Sequence, residues 1–120
     1  MQDMKARTRA FSVSIIDLYA SLPNTTKAQV LGTQALRSGT SVGSHYREAQ
    51  RAKSDADFIS KIEGGLQEAE ETAFWLEVLG DSGIVAKELL QPLLKEADEL
   101  TAILVTMVKN VKARGRTRKG

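Results

Sequence analysis

The sequence predicts an all-α protein folded as an antiparallel up-down-up-down four-helix bundle. Three observations carry that expectation. Apolar residues recur every three or four positions in long stripes, Pro23 and the run Gly80-Asp81-Ser82-Gly83 cut those stripes into segments with short connections, and 120 residues suffice for one continuous core. Successive helices joined by short connections lie antiparallel to one another.

The first helix is expected over about Lys5 to Leu22, where Phe11, Ile15, Leu18 and Leu22 form one stripe. Pro23 stops it, because proline disfavours α geometry in the residue before it. Asn24, Thr25 and Thr26 then offer side-chain oxygens to cap a second helix carrying Val30, Leu31, Ala35, Leu36 and Val42. The stretch Ser38-Gly39-Thr40-Ser41-Val42-Gly43-Ser44 is a weak helix former. By propensity it reads as a loop; the alternative is a helix whose small residues let a neighbouring backbone approach closely. A third helix starts near Ser54, with Ser54 and Asp57 spaced as a capping box. Its stripe is Phe58, Ile62, Leu66, Ala69, Ala73, Leu76 and Leu79, and Gly80 is expected to end it. The fourth carries Leu90, Leu93, Ala97, Leu100, Leu104, Met107 and Val111. Pro92 falls early in that run, so the helix either starts near Gln91 or kinks there. Residues 1–112 thus form the bundle and 113–120 a basic, flexible tail.

Hydrophobic residues make up 42% and charged residues 27%, a globular composition. The absence of cysteine excludes disulfides and thiolate metal sites and suits a reducing compartment. Phe11 to Leu22 is broken by Ser12, Ser14, Asp17 and Ser21, unlike a signal peptide, and Ile103 to Val108 is too short to span a membrane. A cytoplasmic protein without membrane association is expected. The net charge is only +2, but the charges are segregated: Lys5, Arg7, Arg9, Lys27, Arg37, Arg47, Arg51 and Lys53 dominate residues 1–53, acids dominate 54–108, and 109–120 hold cations alone.

Several runs act together as a signature. They are Gln34-Ala35-Leu36-Arg37-Ser38-Gly39-Thr40-Ser41-Val42-Gly43, Tyr46-Arg47-Glu48-Ala49, Asp57-Phe58-Ile59 with Lys61, Glu68-Ala69 with Glu71-Thr72, Trp75-Leu76-Glu77, and Leu94 to Leu100. From about Phe11 to Lys112 the chain resembles the bacterial four-helix-bundle proteins first noticed as reading frames in intervening sequences of large-subunit ribosomal RNA genes. The resemblance implies that the second helix continues through its Gly/Ser-rich stretch and that the protein forms a ring-shaped homo-oligomer, typically a pentamer. A similar fold serves the accessory variability protein of diversity-generating retroelements, which binds a reverse transcriptase and nucleic acid through basic surface. The resemblance carries no enzymatic activity, cofactor or metal.

The main functional candidate is the C-terminal cluster Lys109, Lys112, Arg114, Arg116, Arg118 and Lys119, since cations at phosphates release counterions and give sequence-neutral affinity for RNA or DNA. The plainer role is a solvated tail or favourable charge at a helix C-terminus. Arg47 and Arg51, one helical turn apart, would extend a basic surface; with Arg37 they would otherwise pair with the acids of the third helix across a subunit interface. Phe74 and Trp75 cannot both face the bundle axis, so either one packs between subunits, where aromatics are enriched, or both rest on the bundle's edge; Tyr46 joins them as an expected interface residue. Phe74, Val78 and Ile103 also lie off the main stripes.

The lone His45 has no second histidine beside it and reads as a hydrogen-bonding surface or interface residue. Glu68 with Glu71 and Glu96 with Glu99 resemble the acidic pairs that hold Mg²⁺ in all-α nucleoside triphosphate pyrophosphohydrolases. Such runs are ordinarily solvated helix faces. No Ser/His/Asp arrangement or phosphate loop is present. The expectation is a non-enzymatic oligomeric module that binds nucleic acid, a protein partner or both. The alternatives are the Mg²⁺-dependent enzyme and a purely protein-binding scaffold.

Overall fold

The structure, a computed structural model, describes residues 3–119, with side chains described for 3–115. Four helices follow in order: α1 (Met4–Ala20), α2 (Thr26–Gln50), α3 (Asp55–Asp81) and α4 (Lys87–Lys119). Their contacts establish the antiparallel course. Gly39 lies at Ile15 and Gly43 at Thr8 between α2 and α1; Thr72 meets Ser38 between α3 and α2; Gly80 meets Leu90 and Gly65 meets Leu104 between α3 and α4. The bundle measures 56 × 23 × 22 Å. Its length is that of α4, since 33 helical residues rise about 50 Å.

The caps are local and legible. Asp3 Oδ1 accepts from the Ala6 N–H at 3.2 Å, Thr25 Oγ1 from Ala28 at 3.2 Å, and Ser54 Oγ from Asp57 at 3.0 Å. The end of α3 differs from expectation. Gly80 stays helical and buried, and Gly83, at φ +73°, makes the left-handed turn. Gly80 is instead small because α4 crosses there, with Leu90 Cδ1 3.0 Å from where a Cβ would sit. Nor does α4 begin at Gln91: it starts at Lys87 and takes Pro92 inside, giving up one backbone hydrogen bond in its second turn.

The core joins Phe11 and Ile15 of α1, Val42 of α2, Ile62, Ala69 and Leu76 of α3, and Leu90, Ala97, Leu100 and Leu104 of α4. Off the expected stripes, Ile103 rests against this core and Val78 is half-buried. Helix α2 contributes differently from the others. Its buried face is Ala28, Gly32, Ala35, Ser38, Gly39, Val42, Gly43 and Ala49, a stripe of small residues, whereas Val30 is exposed. The Ser38 to Ser44 stretch is therefore helix, and its lack of side-chain bulk lets α1 and α3 pack close on either side. The Ser38 and Thr72 hydroxyls meet at 2.9 Å inside this seam, which satisfies two buried polar groups.

Candidate nucleic-acid interface

The antiparallel course brings the start of α1, the end of α2, the α2–α3 connection and the late part of α4 to one end of the bundle. Two neighbouring clefts lie there. One, of about 350 Å³, is lined by Lys5, Ser44, Arg47, Glu48, Gln50 and Arg51. The other, of about 430 Å³, is formed around residues 49–55 with Phe58, Val111 and Arg114, and Gln50 borders both. Lys5, Arg47, Arg51, Lys53 and Arg114 thus converge on one end, although they are scattered along the sequence.

The cations differ in what holds them. Arg7 forks onto Glu96 through Nε (2.7 Å) and Nη2 (2.6 Å) and also reaches Glu99 at 2.8 Å. The hydrogen bonds to Glu96, more than anything else, push the Arg7 pKa above its ordinary value, with burial opposing, so it stays charged. Arg37 binds Glu71 at 2.8 Å and sits 3.7 Å from Glu68, so it pairs with α3 inside its own chain and adds nothing to the basic end. Lys112 lies 3.9 Å from Glu63 and Arg114 3.7 Å from Asp55, loose exposed pairs that water screens. Lys5, Arg47, Arg51, Lys53 and Lys109 form no ion pair among the described residues. The side chains of Arg116, Arg118 and Lys119 lie outside the described residues, while α4 itself continues to Lys119.

The two acidic pairs do not face each other. Glu68 and Glu71 turn to Arg37 on α2, and Glu96 and Glu99 turn to Arg7 on α1. Among the described residues no group of three or more His, Asp or Glu is gathered closely enough to hold a metal ion. His45 lies against α3, where a Cβ on Gly64 would stand 2.9 Å from its Nδ1. That nitrogen is buried without a hydrogen-bond partner among the described residues, 3.6 Å from Glu48 Oε1.

Phe74 and Trp75 form an edge-to-face pair with ring centroids 5.0 Å apart. Phe74 is 55% exposed, whereas Trp75 is half-buried with an Nε1 that has no hydrogen-bond partner among the described residues. Tyr46 packs partly against its own core. Sequence reasoning missed Lys5, Ser44 and Gln50, which only the fold sets beside Arg47 and Arg51.

The family model for the 23S rRNA-intervening sequence protein matches residues 2–106. The chain belongs to that family. A solved structure agrees: a protein of unknown function from the S23 ribosomal protein family of Bacteroides thetaiotaomicron VPI-5482 is 38% identical, with a TM-score of 0.84 over 89% of this chain and 99% of that one. Among curated proteins none matches. The family match includes Lys5, Arg47 and Arg51 and stops before Lys109, so the basic end lies partly within and partly beyond the matched residues. No described helix is long and apolar enough to cross a membrane.

Proposed function

We propose that this protein is a non-enzymatic interaction module that assembles as a homo-oligomer and contacts nucleic acid through its basic end. The observation that carries the reading is the convergence of Lys5, Arg47, Arg51 and Lys53 at one end of the bundle without carboxylate partners among the described residues. Cations left facing water are the groups that release counterions at a phosphate backbone. The basic run from Lys109 to Lys119 extends from the same end and adds charge. The family description refers to 23S rRNA, so ribosomal RNA fragments are the first probe and duplex DNA the second.

Assembly matters because a ring repeats the basic end once per subunit, and linked weak sites raise overall affinity without new contacts. The resemblance implies a pentamer. Val13, Ile16, Val30, Phe74 and Leu89 stand exposed, and a subunit interface would cover those of them that it includes. Phe74 and Trp75 are the residues expected between subunits, and Trp75→Ala should weaken assembly in sedimentation experiments.

Mobility-shift titrations of the intact chain and of a chain lacking residues 113–120, each at two salt concentrations, test the reading. Binding should be insensitive to sequence, weaken steeply as salt rises, and persist with reduced affinity after truncation. No binding by either form at low salt would leave a protein-facing scaffold in its place.

A further inference from the structure

We propose that the cleft between the first turn of α1 and the last turn of α2 is a phosphate-binding subsite walled by Lys5, Arg47 and Arg51. The inference rests on the nucleic-acid reading and sharpens it, because it assigns the anchoring contact to this cleft and not to the C-terminal cluster.

The geometry suits a tetrahedral oxyanion. Arg47 lies in the last turn of α2 and Arg51, four residues on, is its C-cap, about 6 Å further along the axis, so two guanidinium groups can converge on one phosphate. Lys5 closes the cleft from a second helix, and Ser44 and Gln50 bring neutral donors into its lining. The volume of about 350 Å³ admits a phosphate with part of the sugar it carries.

Competition separates this cleft from the other cations. Arg7 and Arg37 are held by carboxylates that an arriving phosphate must displace, and Lys112 and Arg114 stand near Glu63 and Asp55, whose negative charge offsets part of their attraction for a phosphate. Arg47 and Arg51 have no such occupant among the described residues. The acid in the lining, Glu48, is turned toward α3, with one oxygen 3.8 Å from Lys61 Nζ and the other 3.6 Å from His45 Nδ1. Helix dipoles nearly cancel here: the positive start of α1 favours an anion and the negative end of α2 opposes it. Favouring the C-terminus of α2 would account for Arg47 alone. It would not account for Lys5 arriving from α1.

The test uses the full chain and two probes. Inorganic pyrophosphate is titrated at constant ionic strength while the arginine Nε–Hε resonances are followed by NMR, and a fluorescent single-stranded RNA of 20 nucleotides is titrated by anisotropy. The variants are Arg47→Gln/Arg51→Gln and, for comparison, Lys112→Gln/Arg114→Gln, with circular dichroism confirming that each remains folded. Pyrophosphate should shift the Arg47 and Arg51 signals saturably. RNA affinity should fall at least about 10-fold in the cleft variant and less than about 3-fold in the comparison variant, with the log–log salt slope reduced by about 1.4 units in the former, as two lost contacts to a single strand imply. Unsaturable shifts spread over all arginines, or a cleft variant that binds RNA as the parent does, would overturn the subsite and leave general nucleic-acid binding intact. Saturable pyrophosphate binding without RNA binding would uphold the subsite as a site for small phosphates and remove the nucleic-acid reading.

Discussion

Replacing Gly39 by alanine isolates the role of the small-residue face of α2. A Cβ added there would lie 2.8 and 2.9 Å from Ile15 Cγ1 and Cγ2 and 3.1 Å from Ile15 Cβ. These atoms are the branch point of a side chain with 0% exposure, so no rotation relieves the clash without moving α1. Overfilling a tight core costs about 1–3 kcal/mol, and three immobile contacts place this site at the upper end. Alanine is the better helix former by about 1 kcal/mol, which offsets part of the loss. The expected net destabilisation is about 2 kcal/mol, a fall in Tm on the order of 5–10 °C for a domain of this size. Gly115→Ala is the control: it too is helical, in α4, but nothing stands within 4 Å of the added carbon, so it should be neutral or slightly stabilising. Urea denaturation followed by circular dichroism at one fixed protein concentration measures both. If Gly39→Ala proves as stable as the parent, the close approach of α1 and α2 is not what the glycine provides.

Three further outcomes follow from the same structure. Thr72→Val keeps the side-chain shape but deletes the hydroxyl 2.9 Å from Ser38, and should cost about 1 kcal/mol; adding Ser38→Ala should cost less than the sum of the two, as a double-mutant cycle will register. Arg7→Met removes the fork that ties α1 to α4 and should cost about 1–2 kcal/mol in urea titrations. Because the Arg7 pKa is raised, its contribution is complete below the ordinary arginine value and lost only above it, so the difference should stay flat between about pH 6 and 10. Millimolar Mg²⁺ should leave the thermal midpoint unchanged, since each acidic pair already holds a guanidinium; a rise of several degrees, lost in Glu68→Gln, would revive the metal-dependent alternative.

How much was legible depends on what each helix buries. Helices α1, α3 and α4 announce themselves because Ile15, Ile62, Leu76, Leu100 and Leu104 are large, apolar and spaced at the helical period. Helix α2 buries Gly32, Ser38, Gly39 and Gly43, residues that intrinsic propensity assigns to loops, so periodicity alone left it open and family resemblance settled it. Gly80 was misread for a related reason. A glycine can mark a helix end or a helix crossing, and only the position of Leu90 distinguishes them. At the basic end, the one-turn spacing of Arg47 and Arg51 is visible in the chain. Lys5 as their neighbour is not, because a contact between distant positions leaves no local pattern. The Arg7–Glu96 pair, separated by 89 positions, was hidden in the same way.

The net charge of +2 is therefore a poor guide to what this molecule attracts. Folding spends much of the opposite charge internally: Arg7 and Arg37 take the two acidic pairs, and Lys61, Lys112 and Arg114 lie beside carboxylates. What is left over is polar in space. Lys5, Arg47, Arg51 and Lys53 gather at one end, while Glu77 and Asp98 line a cleft of about 380 Å³ toward the other, beside Asp81, which pairs at 3.3 Å with Lys87 at the start of α4. The bundle is 56 Å long, and at physiological salt a charge is felt over only about 8 Å. The acidic end is thus too far away to cancel the field of the basic end, and each acts alone on what approaches it. A polyanion arriving at the basic end would meet a local excess of cations that the whole-chain charge does not reveal. In a ring that excess would recur in every subunit.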